Sequence, residues 1–430
     1  MWVMEKNSWC QFENKGLNLM TKQVFQLIKD EIRRQQETLM MIPSENYASG
    51  AVLKALGSVF QNKYAEGYPG RRYYQGQEFV DKVENLAIDR AKKLFGVPQV
   101  NVQPYSGSPA NAAVYFALLE PGDKIMSPNL PSGGHLTHGH PKITFSGKYF
   151  NSVQYQVDKN GFFDYEKIAQ LALKERPKII VAGTTSYSRT LDFARFGRIA
   201  DKIGAYLMAD IAHIVALVIA GTHPSPVPWV DVVTTTTHKS LRGPRGAMIL
   251  ITKKGLIKDK NLAKKIDRAV FPGLQGGPHE NNIAAIAIAL EEASREDFKQ
   301  YGQQIVRNAR RLALELTNLG FDLVSGGTDN HLMVIDLRNK NIDGKRAALL
   351  LEEAGIIVNA NSIPYDPRPP LSPSGIRLGT PALTTRGMKE EQMILIAQWF
   401  DLIINAQVKP VKIKQKVKEL TDKFPAPGLD

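Results

Sequence analysis

Between residues 177 and 237 the chain alternates short apolar, β-branched runs with stretches of helical periodicity. Residues 178–182, 205–209 and 230–237 read as strands and 195–203 as a helix, which predicts βαβ units and a parallel sheet. Upstream, Val24, Leu27, Ile28 and Ile32 fall at helical spacing within 23–41, and Pro43 ends that amphipathic helix. Phe79, Val83, Leu86 and Leu94 mark a second helix over 79–95, and 112–119 a third. After about residue 296 the texture changes. A long amphipathic helix (Tyr301, Ile305, Leu312, Leu316) leads to a strand at 331–337 and to helices near 343–354 and 386–406. This second texture predicts a separate, smaller α/β domain.

A chain of 430 residues accommodates two domains and a large core. The pattern divides it into an extension over 1–20, an N-terminal arm over 21–62, a large domain over 63–295 and a small domain over 296–430. Hydrophobic content of 43% with 23% charged residues is ordinary for a soluble globular protein. The net charge is +13, yet the basic residues are scattered rather than gathered into an arm with interleaved aromatics. That argues against a nucleic-acid partner. The densest run, 409–418, alternates lysine with apolar residues as a solvated helix face does. One cysteine, Cys10, excludes an internal disulfide framework and a multi-cysteine metal site, and fits a reducing compartment. No run approaches the ~18 apolar residues of a membrane span. The first ten residues lack the apolar stretch of a secretory signal, so a cytoplasmic location is expected. Residues 1–20 look unlike the rest of the chain, with Met20 as a natural beginning and the extension expected to be disordered.

The chemistry gathers at strand ends. Residues 231–246 run from a β-branched strand into a Gly/Pro loop, placing Lys239 just past the strand, on the edge where open α/β sheets bind ligands. The four threonines 234–237 are unusual there, because each buried hydroxyl needs a partner. A lone lysine in such a place is ordinarily solvated; Asp210, at the end of the preceding strand, changes that reading. An amine that forms a Schiff base and a carboxylate that pairs with a pyridinium nitrogen are what a pyridoxal phosphate enzyme needs. Ser106, Gly107 and Ser108 open a helical run and form a candidate phosphate cradle. Residues 62–74 crowd tyrosines and charges onto an irregular loop, as a binding surface or a subunit contact does. In 133–139, histidine could stack on a ring, bind metal or pack; no ligand-like spacing favours metal. Residues 271–278 read as a rigid turn, 358–364 as a Pro-containing loop, and 374–380 as a loop whose Arg377 suits a carboxylate clamp.

Together these segments closely resemble the serine hydroxymethyltransferase family, pyridoxal phosphate enzymes of the aspartate aminotransferase fold type (fold type I). The likeness runs from about residue 23 to the C-terminal helices. It rests on TTTTHK-x-LRGPRG, SENY, NKYAEGYPG-x-RYY, GGHLTHG, PGLQGGP, SGGTDNHL and SGIR-x-GTPA. The resemblance implies an α/β fold: a large domain with a mostly parallel mixed sheet flanked by helices, plus a smaller C-terminal α/β domain. It implies reversible transfer of the serine hydroxymethyl group to tetrahydrofolate, giving glycine and methylenetetrahydrofolate. Lys239 would carry the imine, Asp210 hold the pyridine nitrogen and His135 stack on the ring. Ser106, Gly107 and Ser108 would hold the phosphate, with Thr236 also at the cofactor and His213 and Thr185 flanking the ring. Arg377, Ser44 and Tyr74 would bind the amino acid carboxylate. Glu66 would be the acid–base group, Tyr64 would assist lysine exchange, and His238 would take part beside the lysine. Tyr73, Leu130, Gly134, Leu136 and Asn361, with Glu66, match the folate pocket. Tyr64, Glu66 and the Gly276–Gly277 turn would reach a neighbouring subunit, implying a homodimer.

Some positions depart from the family pattern. Gln75 and Ala216 and Ala247 stand where glycine is usual, and Ala360 replaces a common lysine. Gln75 and Ala360 adjoin the folate residues, so they bear on folate affinity rather than on cofactor binding. Two other functions are weighed: a folate-independent aldolase acting on threonine-type β-hydroxy amino acids, and a non-catalytic RNA-binding or scaffold protein. Glu66, Tyr73 and Asn361 favour the transferase over the first. Lys239, Asp210 and Arg377 argue against the second.

Overall fold

The computed structural model describes residues 19–141 and 143–429. The expected extension over 1–20 therefore lies, up to residue 18, outside the described residues. A seven-stranded sheet is built from β1 (Gln99–Asn101), β2 (Lys124–Pro128), β3 (Asn151–Tyr155), β4 (Ile179–Gly183), β5 (Tyr206–Asp210), β6 (Val232–Thr236) and β7 (Ala247–Ile251). Its order is β1-β7-β6-β5-β4-β2-β3. Strands β3, β2, β4, β5 and β6 are parallel, and β7 runs antiparallel to both neighbours.

The continuous apolar runs are explained by burial on two faces. Ile180 and Ala182 of β4 point into one core with Phe193, Phe196 and Leu290. Ile179 and Val181 point into another with Ala110, Val114 and Ile266. A second, antiparallel sheet comprises β8 (Asp322–Leu323), β9 (Leu332–Asp336), β10 (Asn359–Asn361) and β11 (Gly375–Gly379), ordered β8-β9-β11-β10. Met333, Ile335, Ile376 and Leu378 bury here against Trp399 and Phe400. The helix Glu296–Asn318 serves both cores: Phe298, Tyr301 and Ile305 in the first, Leu312 and Leu316 in the second. No described helix is long and apolar enough to cross a membrane.

Several local expectations are corrected. Residues 375–379 form a strand rather than a loop, and within 358–364 a short strand, Asn359–Asn361, precedes the loop. Glycine masks β11 because Gly375 packs where a Cβ would meet the Ile335 carbonyl oxygen at 2.6 Å, and Gly379 where it would meet Pro43 at 3.0 Å. The first helix is Leu19–Glu37, and Leu39–Met40 leaves it to pair in parallel with Ile356–Ile357. Its predicted inner stripe is open among the described residues, with Val24, Leu27 and Ile28 exposed by 56, 61 and 47%. Phe79 and Leu86 also face outward; the helix Glu78–Phe95 buries Val80, Glu84, Ala87, Ala91 and Phe95 instead. The third helix starts earlier, at Gly107, and ends at Leu118. The last of the expected segments begins only at Glu390, because the chain turns through Gly387 at φ +88°.

Candidate functional site

Lys239 and Asp210 meet at the edge that the parallel strands make with their C-terminal ends. Asp210 closes β5, and its Oδ2 accepts hydrogen bonds from Asn111 Nδ2 and His138 Nε2, both at 2.9 Å. His138 Nδ1 accepts the His135 backbone N–H at 3.1 Å, so the ring proton sits on Nε2, facing Asp210. Asn111 is oriented in turn by Thr234, whose hydroxyl donates to its Oδ1 at 2.7 Å. Burial alone would push the Asp210 carboxyl up; the His138 hydrogen bond, Lys239 and Asn111 outweigh it and hold the carboxyl well below the usual carboxylate range. Lys239 is pushed down to about 8 by burial, against the pull of Asp210 and with help from Arg377 and Arg245. Its amine therefore exists partly unprotonated near neutral pH, which is what a nucleophile needs.

Arg377 lies mid-strand in β11, opposite Val334 and Asn359. It donates from Nε to Asn359 Oδ1 at 3.0 Å and from Nη1 to the Thr185 carbonyl at 2.7 Å. Neither partner is an anion, and no carboxylate pairs with it among the described residues; burial pushes it down to about 10. A buried guanidinium without a counter-ion is a ready receptor for a carboxylate. Ser44 follows Pro43, which packs on Gly379 of the same strand, and Asn46 donates to the Lys239 carbonyl at 3.3 Å. This segment thus ties Arg377 to Lys239. His135 is held neutral, pushed down to about 4 by burial and His138. His213 is likewise kept neutral by burial and lies 3.4 Å from His331.

Three of the four threonines find partners: Thr234 on Asn111, Thr235 on the Thr236 carbonyl and Thr237 on the Pro244 carbonyl. Thr236 Oγ1 is buried without one. It lies against Gly107, where a Cβ would meet the Thr236 methyl at 2.7 Å. Gly107 opens the helix whose N-cap, Ser106, makes no side-chain capping bond. An orphaned hydroxyl, an unused serine and a helix N-terminus converge there. Ser108 follows in the first turn and is exposed. His238 is half-buried and pushed down to about 4 by burial, with Nε2 3.4 Å from Arg245 Nη1.

A second group of residues stands apart. Tyr64 packs edge-on against Tyr74 with ring centres 5.4 Å apart. A Cβ on Gly277 would meet the Tyr64 ring at 3.2 Å, and one on Gly276 would meet Glu66 Oε1 at 3.4 Å. Tyr105 donates to the Gly277 carbonyl at 2.7 Å, and Tyr73 packs on Phe271. Tyr64, Tyr73 and Tyr74 are exposed. Within one chain no hydrogen bond or ion pair joins Glu66 or Tyr74 to Lys239 or Arg377 among the described residues. Leu130 and Leu136 are exposed, Gly134 is buried against the Pro128 carbonyl, and Asn361 lies in β10 beside Gly375. The sequence reading missed Asn111 and Thr234 as supports of Asp210. The demand of buried threonine hydroxyls for partners was the available signal.

The serine hydroxymethyltransferase family model matches residues 17–400. Relatives called serine hydroxymethyltransferase include one from Desulfotalea psychrophila, 56% identical over 418 residues, 96% of each chain. One from Acidothermus cellulolyticus is 54% identical over 414 residues, 94% of this chain and 95% of its own. One from Legionella pneumophila is 56% identical over 406 residues, 94% of this chain and 96% of its own. A match that spans the chain, together with a strand-edge lysine and aspartate set among the same motifs, places this protein in the serine hydroxymethyltransferase family.

Proposed function

We propose residue roles for the transfer this family performs, between serine and tetrahydrofolate on one side and glycine and 5,10-methylenetetrahydrofolate on the other. Pyridoxal phosphate is the family's cofactor and tetrahydrofolate its cosubstrate. The donor set fits that cofactor. Ser106, the Gly107 and Ser108 backbone and the orphaned Thr236 hydroxyl suit a phosphate, the low-pKa Lys239 amine an aldehyde, and ionised Asp210 a protonated pyridine nitrogen. When bound, pyridoxal phosphate supplies the electron sink for cleavage next to the amino acid α carbon.

The chain's own residues do the rest. Neutral His135 offers an uncharged ring face, and His213 and Thr185 border the same space. Arg377, with Ser44, binds the amino acid carboxylate, which supplies the counter-ion its guanidinium lacks. That uncompensated charge beside Lys239 is the observation that carries the reading. His238, next to Lys239 and kept neutral by burial, adds no further positive charge to those of Arg377 and Arg245. Glu66 holds and returns the proton of the serine hydroxyl, with Tyr64 beside it; Tyr74 completes the carboxylate site. Tyr73, Leu130, Gly134, Leu136 and Asn361 receive the folate.

The exposed Tyr64–Tyr74 loop, and the open Val24, Leu27 and Ile28 stripe, support a homodimer in which this loop and the Gly276–Gly277 turn complete the other subunit's site. A cytoplasmic location and a division into large and small domains near residue 296 belong to the same proposal. The test is serine cleavage with and without tetrahydrofolate, alongside an absorbance spectrum. Folate-dependent cleavage is expected. A rate on threonine-type substrates that ignores folate would favour the aldolase instead.

A further inference from the structure

Beneath the Tyr64–Tyr74 loop lies a buried charge cluster that the roles above do not use. Arg72, with a side chain only 3% exposed, donates from Nη1 to the carbonyls of Ala65 at 2.7 Å and Gly67 at 3.0 Å. These are the two carbonyls that flank Glu66. One guanidinium therefore fixes the backbone on both sides of the proposed acid–base residue. Three carboxyls face that guanidinium. Asp81 and Glu84 bond it at 2.9 and 2.5 Å, and Glu84 also accepts from Gln103 Nε2 at 2.7 Å. Glu280, on the packed helix Glu280–Ala293, stands 4.0 Å from Arg72 Nη1. Both of its carboxyl oxygens are buried without a hydrogen-bond partner.

An ionised carboxylate in such surroundings would be stripped of water and left without a donor. The charges around it favour the neutral form. Burial comes first, then Glu84 and Asp81 repel, while Arg72 and Lys63 pull the other way; the net effect pushes Glu280 up to about 8. Burial pushes the Glu84 carboxyl up as well, but Glu84 has Arg72 and Gln103 as donors and Glu280 has none, so the proton belongs on Glu280. Arg72 then answers Asp81 and Glu84 and keeps its Nη1 on the Ala65 and Gly67 carbonyls. With the proton gone, a third anion competes for that same nitrogen.

We propose that Glu280 is a positioning residue for Glu66, acting as a neutral carboxylic acid beneath the Arg72 clamp, and that loss of its proton slackens the clamp and slows the reaction at alkaline pH. This rests on the Glu66 role proposed above. The experiment compares wild-type holoenzyme with Glu280→Gln, which keeps the shape but cannot ionise. Wild-type kcat should fall between pH 7 and 9 at least about threefold more than that of Glu280→Gln. A difference infrared spectrum at pH 6 should contain the band of a protonated, weakly bonded carboxylic acid that Glu280→Gln loses. Glu280→Gln should also gain melting temperature over wild type as pH rises from 5 to 8, because only the folded wild type holds that proton through this window. Superimposable pH profiles, with no acid band lost, would overturn the inference. Its failure is separable from that of the Glu66 reading: if Glu66→Gln keeps wild-type kcat, the role of Glu66 is what falls.

Discussion

The two halves of the site are built on opposite physical plans. Around Lys239 the fold concentrates buried charge on the rigid edge of a parallel sheet. Asp210, Arg377 and Lys239 all carry strongly displaced pKa values, and His135 and His213 are kept neutral. Around Glu66 the functional side chains sit on a loop, and the tyrosines are open to solvent in the single chain. The contrast teaches where each half gets its order. The sheet edge is organised by its own chain, through Asn111, His138 and Thr234. The loop is anchored from below by Arg72, and in the homodimer proposed above a second copy would finish it from above.

The hardest test of this division is at Lys239. Replacing it by Ala should lower kcat by on the order of 10³–10⁴-fold and abolish the visible absorbance of the bound cofactor. The protein should still fold, because the substitution removes a desolvated charge. A variant that stayed yellow and active would place the chemistry elsewhere.

Glu66→Gln should cost on the order of 10²–10³-fold while leaving the cofactor's absorbance in place, since Glu66 belongs to the other half. The comparison sharpens when the two inactive variants are dissociated, mixed and reassociated. In a mixed dimer both defects fall on one site and the other site is whole. Random mixing should restore about a quarter of wild-type activity. If each chain completed its own site, mixing would restore nothing.

The same division explains what was legible beforehand. β4, β5 and β6 were readable because strands buried on two faces are continuous apolar runs. Lys239 and Asp210 followed from their places at strand ends. Arg377 was singled out as a candidate while its element was misjudged, because Gly375 and Gly379 carry no pattern and serve only close packing. The stripe of Val24, Leu27 and Ile28 was a correct helix signal with no partner among the described residues. Periodicity tells that a face is to be covered, not by what. A histidine of 133–139 was left open to stacking, metal binding or packing; the bond of His138 to Asp210 joins residues 72 apart, which no spacing rule reaches.

A smaller effect separates support from chemistry. His138→Ala should remove one of the hydrogen bonds that hold Asp210, leaving Asn111 and the Ala212 N–H, and weaken cofactor affinity by about 10–100-fold. Saturating cofactor should recover most of kcat. A loss of kcat that cofactor could not recover would make His138 a participant rather than a support.

The mildest test needs no substrate. Folding carries the Lys239 ammonium from its ordinary 10.5 to about 8, chiefly by burial. Between those values the unfolded chain holds a proton that the folded chain has released. Stability of the cofactor-free protein should therefore rise with pH across that window, by about 1–3 kcal/mol from this one group. Below about pH 8 the group contributes no slope, because both states are protonated. Lys239→Met should remove that rise and leave slopes from other groups intact, as denaturant melts at pH 8, 9 and 10 would record. Parallel melts for wild type and Lys239→Met would mean that the lysine is solvated after all, and the sheet edge would lose the feature that sets it apart from the loop.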